Sequence, residues 1–324
     1  MTHAIVLREY GGPEKLEWSE VTVGRPAPDE LRIRHTAIGV NFHDTYVRTG
    51  LYRTLTPPGI PGLEAAGVVE DVGSDIKGFV AGDRIVYIDE TYGAYAEARL
   101  LPARRAIRLP AGVSDQAAAA LAVKGMTACM LLRHVYRVER GETLLIHAAA
   151  GAVGQNLVRW AKHLGARVIG TVGTPEKGAL ASECGADDII LYRRENFVER
   201  VRELTGGQGV KVVYDAVGAD TFAGSLDCLD YCGTLVNFGQ ASGPVAPIEV
   251  SRLAVRSLTL VRPLLFHYIR TRAALEEMAA ETFRMLAEGV LIARVGLALP
   301  LARAAEAHAA LEARRTSGAT VLLP

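Results

Sequence analysis

Thr143-Leu144-Leu145-Ile146-His147-Ala148-Ala149-Ala150-Gly151-Ala152-Val153-Gly154 is the stretch that decides the fold. An apolar strand runs straight into a glycine-bearing turn, and the next residues, Gln155 to Leu164, carry the apolar spacing of a helix. Aligned to the G-x-G-x-x-G pattern of dinucleotide sites, Ala149 stands in the first place while Gly151 and Gly154 keep the second and third. In that pattern the second glycine lets the backbone approach a pyrophosphate and the third lets helix and strand pack closely. The helix N-terminus adds free amide donors and a favourable dipole. Ala150, Gly151, Ala152 and Val153 are therefore candidate cofactor contacts. Such a string also occurs in ordinary turns; the order strand, loop, helix, second strand is what favours a dinucleotide here.

Working outward, the second strand, from Arg167, ends in Thr171-Val172-Gly173-Thr174, where an NAD site would place an acid to accept from the ribose hydroxyl. Lys177 follows within a turn of the helix that Thr174 caps and Pro175 opens, and Tyr192 closes the next apolar run. A cation and a phenol beside Gly173 predict a 2′-phosphate, hence NADPH; two charge-assisted contacts at about 1.5–3 kcal/mol each give a large preference over NADH. The plain alternative for Lys177 is a solvated helix lysine. Glu176, the nearest acid, lies in the first helical turn, where the dipole alone accounts for it.

From Gly141 onward strands alternate with helices, through Val210 to Tyr214 and Thr234 to Phe238, which predicts a parallel sheet covered on both faces. Before about Pro110 the texture differs. Short alternating runs, such as Leu31 to His35 and Arg84 to Ile88, are separated by glycine and proline clusters, as in a mostly β module. The last sixty residues or so read as two amphipathic helices, Thr271 to Glu288 and Ala302 to Arg314, and a closing strand, Thr320 to Leu323, that needs a home in the first module. A chain of 324 residues suits two such domains.

Lys plus Arg and Asp plus Glu balance at 36 each, which argues against a broad nucleic-acid surface. The first residues carry Arg8 and Glu9 inside their short apolar run and do not read as a secretory signal. The longest apolar stretch, Ala117 to Val123, stops at Lys124, too short to span a bilayer, so a cytoplasmic protein is expected. Cys129, Cys184, Cys228 and Cys232 form no CxxC pair; Cys228 and Cys232 are spaced to share a helix face, with buried small apolar residues as the reading.

Taken together, Gly39-Val40-Asn41-Phe42-His43-Asp44-Thr45-Tyr46, Gly50-Leu51-Tyr52, Lys124-Gly125-Met126-Thr127, the Ala148 to Gly154 turn, Val213-Tyr214-Asp215 with Gly218, and Asn237-Phe238-Gly239 form a recognisable pattern. The whole chain resembles the zinc-free, zeta-crystallin-like NADPH:quinone oxidoreductases of the medium-chain dehydrogenase/reductase superfamily, most closely the bacterial quinone reductases. It departs from them at Ala152, where glycine is usual, and Arg159, where glutamine is usual. The resemblance implies an α/β protein: a GroES-like, mostly β catalytic domain (1–123 and 264–324) around a Rossmann, doubly wound NADPH-binding domain (124–263). A cleft between them and a homodimer are implied with it. Carried over position by position, Asn41, Lys124 and Thr127 would flank the nicotinamide and its ribose, Phe238 and Gly239 would lie beside the ring, and Val217 would line the dinucleotide. Gly173, Lys177, Tyr192 and the penultimate-helix Arg314 would surround the 2′-phosphate. Tyr46 and Tyr52 would face substrate beside Asn41, with wall packing as their alternative role.

Alcohol dehydrogenases of that superfamily hold a zinc Lewis acid on Cys and His. The matching places here are Asn41 and Leu63, poor zinc ligands, and Asp89 to Pro110 contains no cysteine, so no metal is expected. His43 and Asp44 read as a hydrogen-bonded structural pair. A quinone accepts hydride without a metal because conjugation spreads the product oxyanion, so a quinone or similar conjugated carbonyl is the expected partner. The competing readings are an NADPH-dependent reductase of 2-alkenals, enones or enoyl thioesters and, as a different class, a non-catalytic RNA-binding or crystallin-like structural protein.

Overall fold

The computed structural model describes residues 2–324. The chain divides into two units, one comprising the residues up to Lys124 with Ile269–Phe283 and Ala293–Pro324, the other Gly125–Tyr268 with Arg284–Ile292.

The first unit starts with the antiparallel pair β1 (Thr2–Leu7) and β2 (Leu16–Val21). The long strand β3 (Glu30–Val40) leads into the short helix α1 (Phe42–Arg48). Along β3 the alternation Leu31, Ile33, His35 points inward and is buried, with Arg34 outward, as a one-sided antiparallel sheet requires. Strands β4 (Glu64–Val72), β5 (Arg84–Ile88), β6 (Ala98–Pro102) and β7 (Ala106–Arg108) follow, β4 lying antiparallel to β3 and β6 also pairing with β3. Gly67 has to be glycine: a Cβ there would lie 2.4 Å from the Arg34 carbonyl oxygen.

Helix α2 (Asp115–Cys129) continues into a π-helical turn, Met130–Val135. The apolar stretch is thus longer than the sequence alone indicated: residues Asp115–Val135 make one helical run long and apolar enough to cross a bilayer by composition. Lys124 does not interrupt it, because Lys124 is itself buried beside Ala118 to Ala122, Met126 and Ala128 to Leu132. Burial of this kind is the mark of a core helix.

The second unit holds β8 (Thr143–Ile146), α3 (Ala152–His163), β9 (Arg167–Val172), α4 (Pro175–Glu183), β10 (Asp188–Leu191), α5 (Phe197–Leu204), β11 (Val210–Asp215), α6 (Phe222–Asp227), β12 (Leu229–Asn237), α7 (Ser251–Ala254), β13 (Thr259–Val261) and α8 (Leu265–Tyr268). Its six strands are all parallel, in the order β10-β9-β8-β11-β12-β13. Counted within the unit this is 3-2-1-4-5-6, the doubly wound dinucleotide order, whose winding reverses between β8 and β11. Right-handed crossovers on the two sides of that point place helices on both faces. Leu145, Ile169, Ile190, Val213 and Leu235, one from each of the strands β8 to β12, share a core cluster with Phe222 and Leu226 of α6.

The chain then forms α9 (Arg272–Ala287), β14 (Val295–Pro300), α10 (Ala304–Glu312) and β15 (Ala319–Leu323). β15 lies antiparallel to β3, Val321 opposite Gly39, and completes the sheet β14-β15-β3-β4-β5-β7. Two sequence expectations need correction. Arg314 is not in a penultimate helix but follows the last one, exposed, with a left-handed φ of 57°. Cys228 and Cys232 share no helix face: Cys228 caps the end of α6 and is buried, whereas Cys232 lies in β12 at φ 58° and is exposed.

Candidate active site

In the second unit the turn from β8 to α3 lies at the reversal point of the sheet. Gly151 is the N-cap of α3 and offers no side-chain acceptor, so the first amides of the helix, those of Ala152 and Val153, gain no partner from the cap. A Cβ on Gly154 would lie 2.2 Å from the Ala148 carbonyl oxygen, so the third glycine is sterically required, while on Gly151 the nearest atom would be 3.1 Å away. The left-handed residue of the turn is Ala148, at φ 52°, rather than Ala149. The Ala149 methyl finds its space across the sheet at Gly170 of β9, where a Cβ would come within 2.9 Å of it. Ala152 takes up an ordinary first helical position, so its extra methyl leaves the turn intact. Gln155 and Asn156 bind the turn from behind, donating to Ala150 O at 2.8 Å and Ala152 O at 3.0 Å.

At the end of β9, Thr174 caps α4 by accepting from the Lys177 amide, and Pro175 is the first helical residue. Glu176 hydrogen-bonds the Thr174 side chain and its own amide, which holds its carboxyl below the ordinary range. Gly173 is the floor of this corner. A Cβ on it would lie 2.8 Å from the Tyr192 hydroxyl oxygen, 3.3 Å from Tyr192 Cζ and 3.5 Å from Arg193 Nε. Lys177 follows one turn into α4, so Gly173, Lys177 and Tyr192 belong to one unit, whereas Arg314 belongs to the other.

A buried polar chain ties these turns together. The two ring nitrogens of His147 pair with Thr171 and Ser225: Nδ1 lies 2.8 Å from Thr171 Oγ1, and Nε2 lies 3.0 Å from Ser225 Oγ. Burial pushes its imidazole pKa down, with the Asp215 charge opposing. Ser225 Oγ donates to Asp215 Oδ2 at 3.1 Å, and Asp215 Oδ1 accepts from the amides of Val217, at 2.8 Å, and Gly218, at 3.1 Å. The Asp215 carbonyl accepts from the Phe238 amide at 2.9 Å, which sets Phe238 and Gly239 beside the Val217 loop. A Cβ on Gly239 would reach 2.5 Å from Ala216 O, and Arg262 Nη1 donates to Gly239 O at 2.9 Å. Sequence reasoning placed Val217, Phe238 and Gly239 but missed Asp215 and Arg262 as the groups that set them.

In the first unit Asn41 is the N-cap of α1 and buried. Its side-chain amide donates to Glu64 Oε1 at 2.9 Å, the Lys124 ammonium donates to the same oxygen, and Glu64 Oε2 accepts from the Val123 amide at 2.7 Å. Glu64, wholly buried, was not singled out from sequence; the signal was an acid and a lysine each set inside an apolar run. Thr127 is three residues beyond Lys124 on α2, hence on the same helix face. Leu63 is buried as part of the core.

His43 and Asp44 do not bond to each other as expected. His43 Nε2 lies 3.0 Å from the Tyr92 hydroxyl, and burial pushes its pKa down to about 4. Asp44 Oδ2 accepts from the Asn41 backbone N–H at 2.8 Å and the Tyr95 hydroxyl at 3.1 Å; burial, against those bonds, raises its pKa to about 7. The reason is the capping box at the start of α1: the backbone N–H of the capping residue captures the carboxylate of the third helical residue. Tyr46 and Tyr52 meet edge to face at 5.2 Å, and His43 lies 5.3 Å from Tyr52, so the two tyrosines form an aromatic cluster with His43.

Comparison with known proteins finds relatives along the whole chain. Residues 27–111 match the alcohol dehydrogenase GroES-like domain and residues 152–281 the zinc-binding dehydrogenase domain. The chain is 46% identical to a quinone oxidoreductase of Pseudomonas aeruginosa, over 100% of both chains. It is 45% identical to a 2-haloacrylate reductase of Burkholderia sp, covering 100% of this chain and 99% of that one. Among solved structures, Escherichia coli quinone oxidoreductase complexed with NADPH superimposes with a TM-score of 0.97 at 45% identity, covering 99% of this chain and 100% of that one. Identity at this level, sustained from end to end through both domains, places the chain in the quinone oxidoreductase family of the medium-chain dehydrogenase/reductase superfamily.

Proposed function

We propose that the protein reduces quinones with NADPH and needs no metal to do so. The observation that carries this reading is the turn at the reversal of the parallel sheet, where the first-turn amides of Ala152 and Val153 open at a glycine cap. Those amides, with the helix dipole behind them, suit a pyrophosphate. Gly173, Lys177 and Tyr192 form the corner that would take the 2′-phosphate, where the nearest acid, Glu176, is held by its capping threonine. Asn41, Lys124 and Thr127 would hold the nicotinamide ribose, and Phe238 and Gly239 the ring. NADPH supplies the hydride.

The protein's own part is positioning. Glu64 orients the Asn41 amide and the Lys124 ammonium, Asp215 sets the Val217 loop, and the Tyr46–Tyr52 pair offers an aromatic wall to a flat conjugated acceptor. Asn41 commits its amide nitrogen to Glu64 and Leu63 is aliphatic, so neither is suited to zinc. A quinone needs no Lewis acid, because its product anion is delocalised and takes its proton from water. The names of the relatives in Pseudomonas and Escherichia coli support a quinone acceptor.

A second reading, reduction of an activated alkene, is favoured by the Burkholderia 2-haloacrylate reductase relative. One assay separates the two: NADPH oxidation by purified protein with a benzoquinone, an enone, an enoyl thioester and a haloacrylate, with NADH in parallel and a chelator present. Quinone-dependent turnover that survives chelation is expected. Turnover restricted to the alkenes installs the second reading, and no turnover with any acceptor defeats both. Family membership also brings the proposal of a cytoplasmic homodimer, which light scattering on the purified protein tests.

A further inference from the structure

Immediately after β10 the chain reads Tyr192-Arg193-Arg194. The missing side chain of Gly173 leaves room that two groups occupy from above: a Cβ there would lie 2.8 Å from the Tyr192 hydroxyl and 3.5 Å from Arg193 Nε. Phenol and guanidinium therefore lie over the same piece of backbone, at the end of β9, where a dinucleotide fold reads the adenosine ribose.

The acids around Arg193 are already engaged. Glu195 Oε1 accepts from the Leu191 amide at 2.9 Å and its Oε2 lies 3.7 Å from Arg200; Asp188 pairs with Arg167 at 2.8 Å; Glu176 bonds to its capping threonine and feels Arg194. Arg193 itself is exposed and makes no hydrogen bond or ion pair with any described residue. An exposed, uncommitted arginine is common on a surface. One folded back over a glycine that any larger residue would obstruct, beside the phenol of the candidate phosphate corner, is not accounted for by solvation.

We propose that Arg193 is a further specificity-determining residue, its guanidinium donating to the 2′-phosphate of NADPH beside Tyr192. The assignment rests on the NADPH reading above. A planar guanidinium can give two parallel N–H bonds to phosphate oxygens, which a lysine cannot. Because the corner is open to water, salt screens the contact.

The test measures dissociation constants for NADPH, NADH and 2′,5′-ADP by calorimetry, at low and high salt, on the full-length wild type, Arg193→Ala and Arg193→Lys. Arg193→Ala should weaken NADPH and 2′,5′-ADP roughly tenfold at low salt, leave NADH unchanged and flatten the salt dependence, with Arg193→Lys in between. Circular dichroism and the melting temperature should not move, since the side chain is exposed. Gly173→Ala, which crowds both groups, should show the same selective loss. Equal weakening of NADPH and NADH, as adenine stacking or misfolding would give, overturns the assignment, and so does no change in either. A wild type that does not prefer NADPH over NADH brings down the cofactor reading itself, a result seen before any variant is made.

Discussion

Asn41 and Lys124 converge on Glu64: the Asn41 amide reaches Oε1 at 2.9 Å and the Lys124 ammonium takes the same oxygen. A carboxylate fits there only because Gly39 has no side chain; a Cβ would stand 2.3 Å from Glu64 Oε1 and 2.5 Å from the Ala119 carbonyl. The pair is buried, so its charges depend on each other.

Glu64→Gln should therefore leave the Lys124 charge uncompensated and destabilise the protein by about 3–5 kcal/mol, as should Lys124→Met through the stranded carboxylate. The double variant should recover much of that loss. Urea unfolding of the four proteins reads the coupling; additive losses would show that the contact is not an ion pair.

The turn at β8 makes a graded prediction. Gly154→Ala, with its Cβ 2.2 Å from Ala148 O, should abolish measurable NADPH binding, while Gly151→Ala, whose nearest atom is 3.1 Å away, should weaken it far less. Gly170→Ala should cost about 1–3 kcal/mol of stability by crowding the Ala149 methyl. Adding Ala149→Gly should return most of it. Fluorescence quenching for binding and thermal melts for stability would check this order.

Stability should fall on acidification from pH 6.5 to 5. Burial lowers His35 and His308 to about 3 and His43 to about 4, so the unfolded chain takes up protons below the ordinary histidine value and the folded one does not. Their contribution is fully present above pH 6.5 and is lost as pH falls towards those values. Asp44, raised to about 7, opposes: it is protonated in the folded state and ionised in the unfolded, so it stabilises progressively as pH falls from 7. With His147, which burial also lowers, four histidines against one aspartate leave a net uptake on unfolding, roughly 2–4 kcal/mol per pH unit near pH 5. Asp44→Asn should steepen that slope. Urea midpoints at pH 5, 6 and 7 give the sign directly.

Tyr46→Phe and Tyr52→Phe should keep quinone turnover within about threefold, because an aromatic wall needs the ring, while Tyr52→Ala should raise KM. A hundredfold drop in kcat for either phenylalanine variant would assign an acid role to that hydroxyl.

Local order carried most of the fold. The β8 turn was legible because strand, glycine turn and helix are contiguous, and the alternation of strands with helices dictates a parallel sheet. The end of β9 was legible too, since Gly173, Thr174, Pro175 and Lys177 lie within one turn of chain. Glu64, Asp215, Arg262 and Arg193 were not singled out, because each acts on a group brought near by folding. His43 and Asp44 misled for the complementary reason: adjacent residues at a helix start point to different sides, one to Tyr92 and the other to Tyr95.

By itself, then, the sequence determined the order of elements, the character of the two domains and the turn suited to a dinucleotide, all properties of neighbouring residues and their periodicity. Only the tertiary structure decided which buried charges face each other, why Gly39, Gly170 and Gly173 have no side chain, and which backbone amides remain open. Those are matters of a few ångströms between distant segments, and close packing sets them only when the strands are in register.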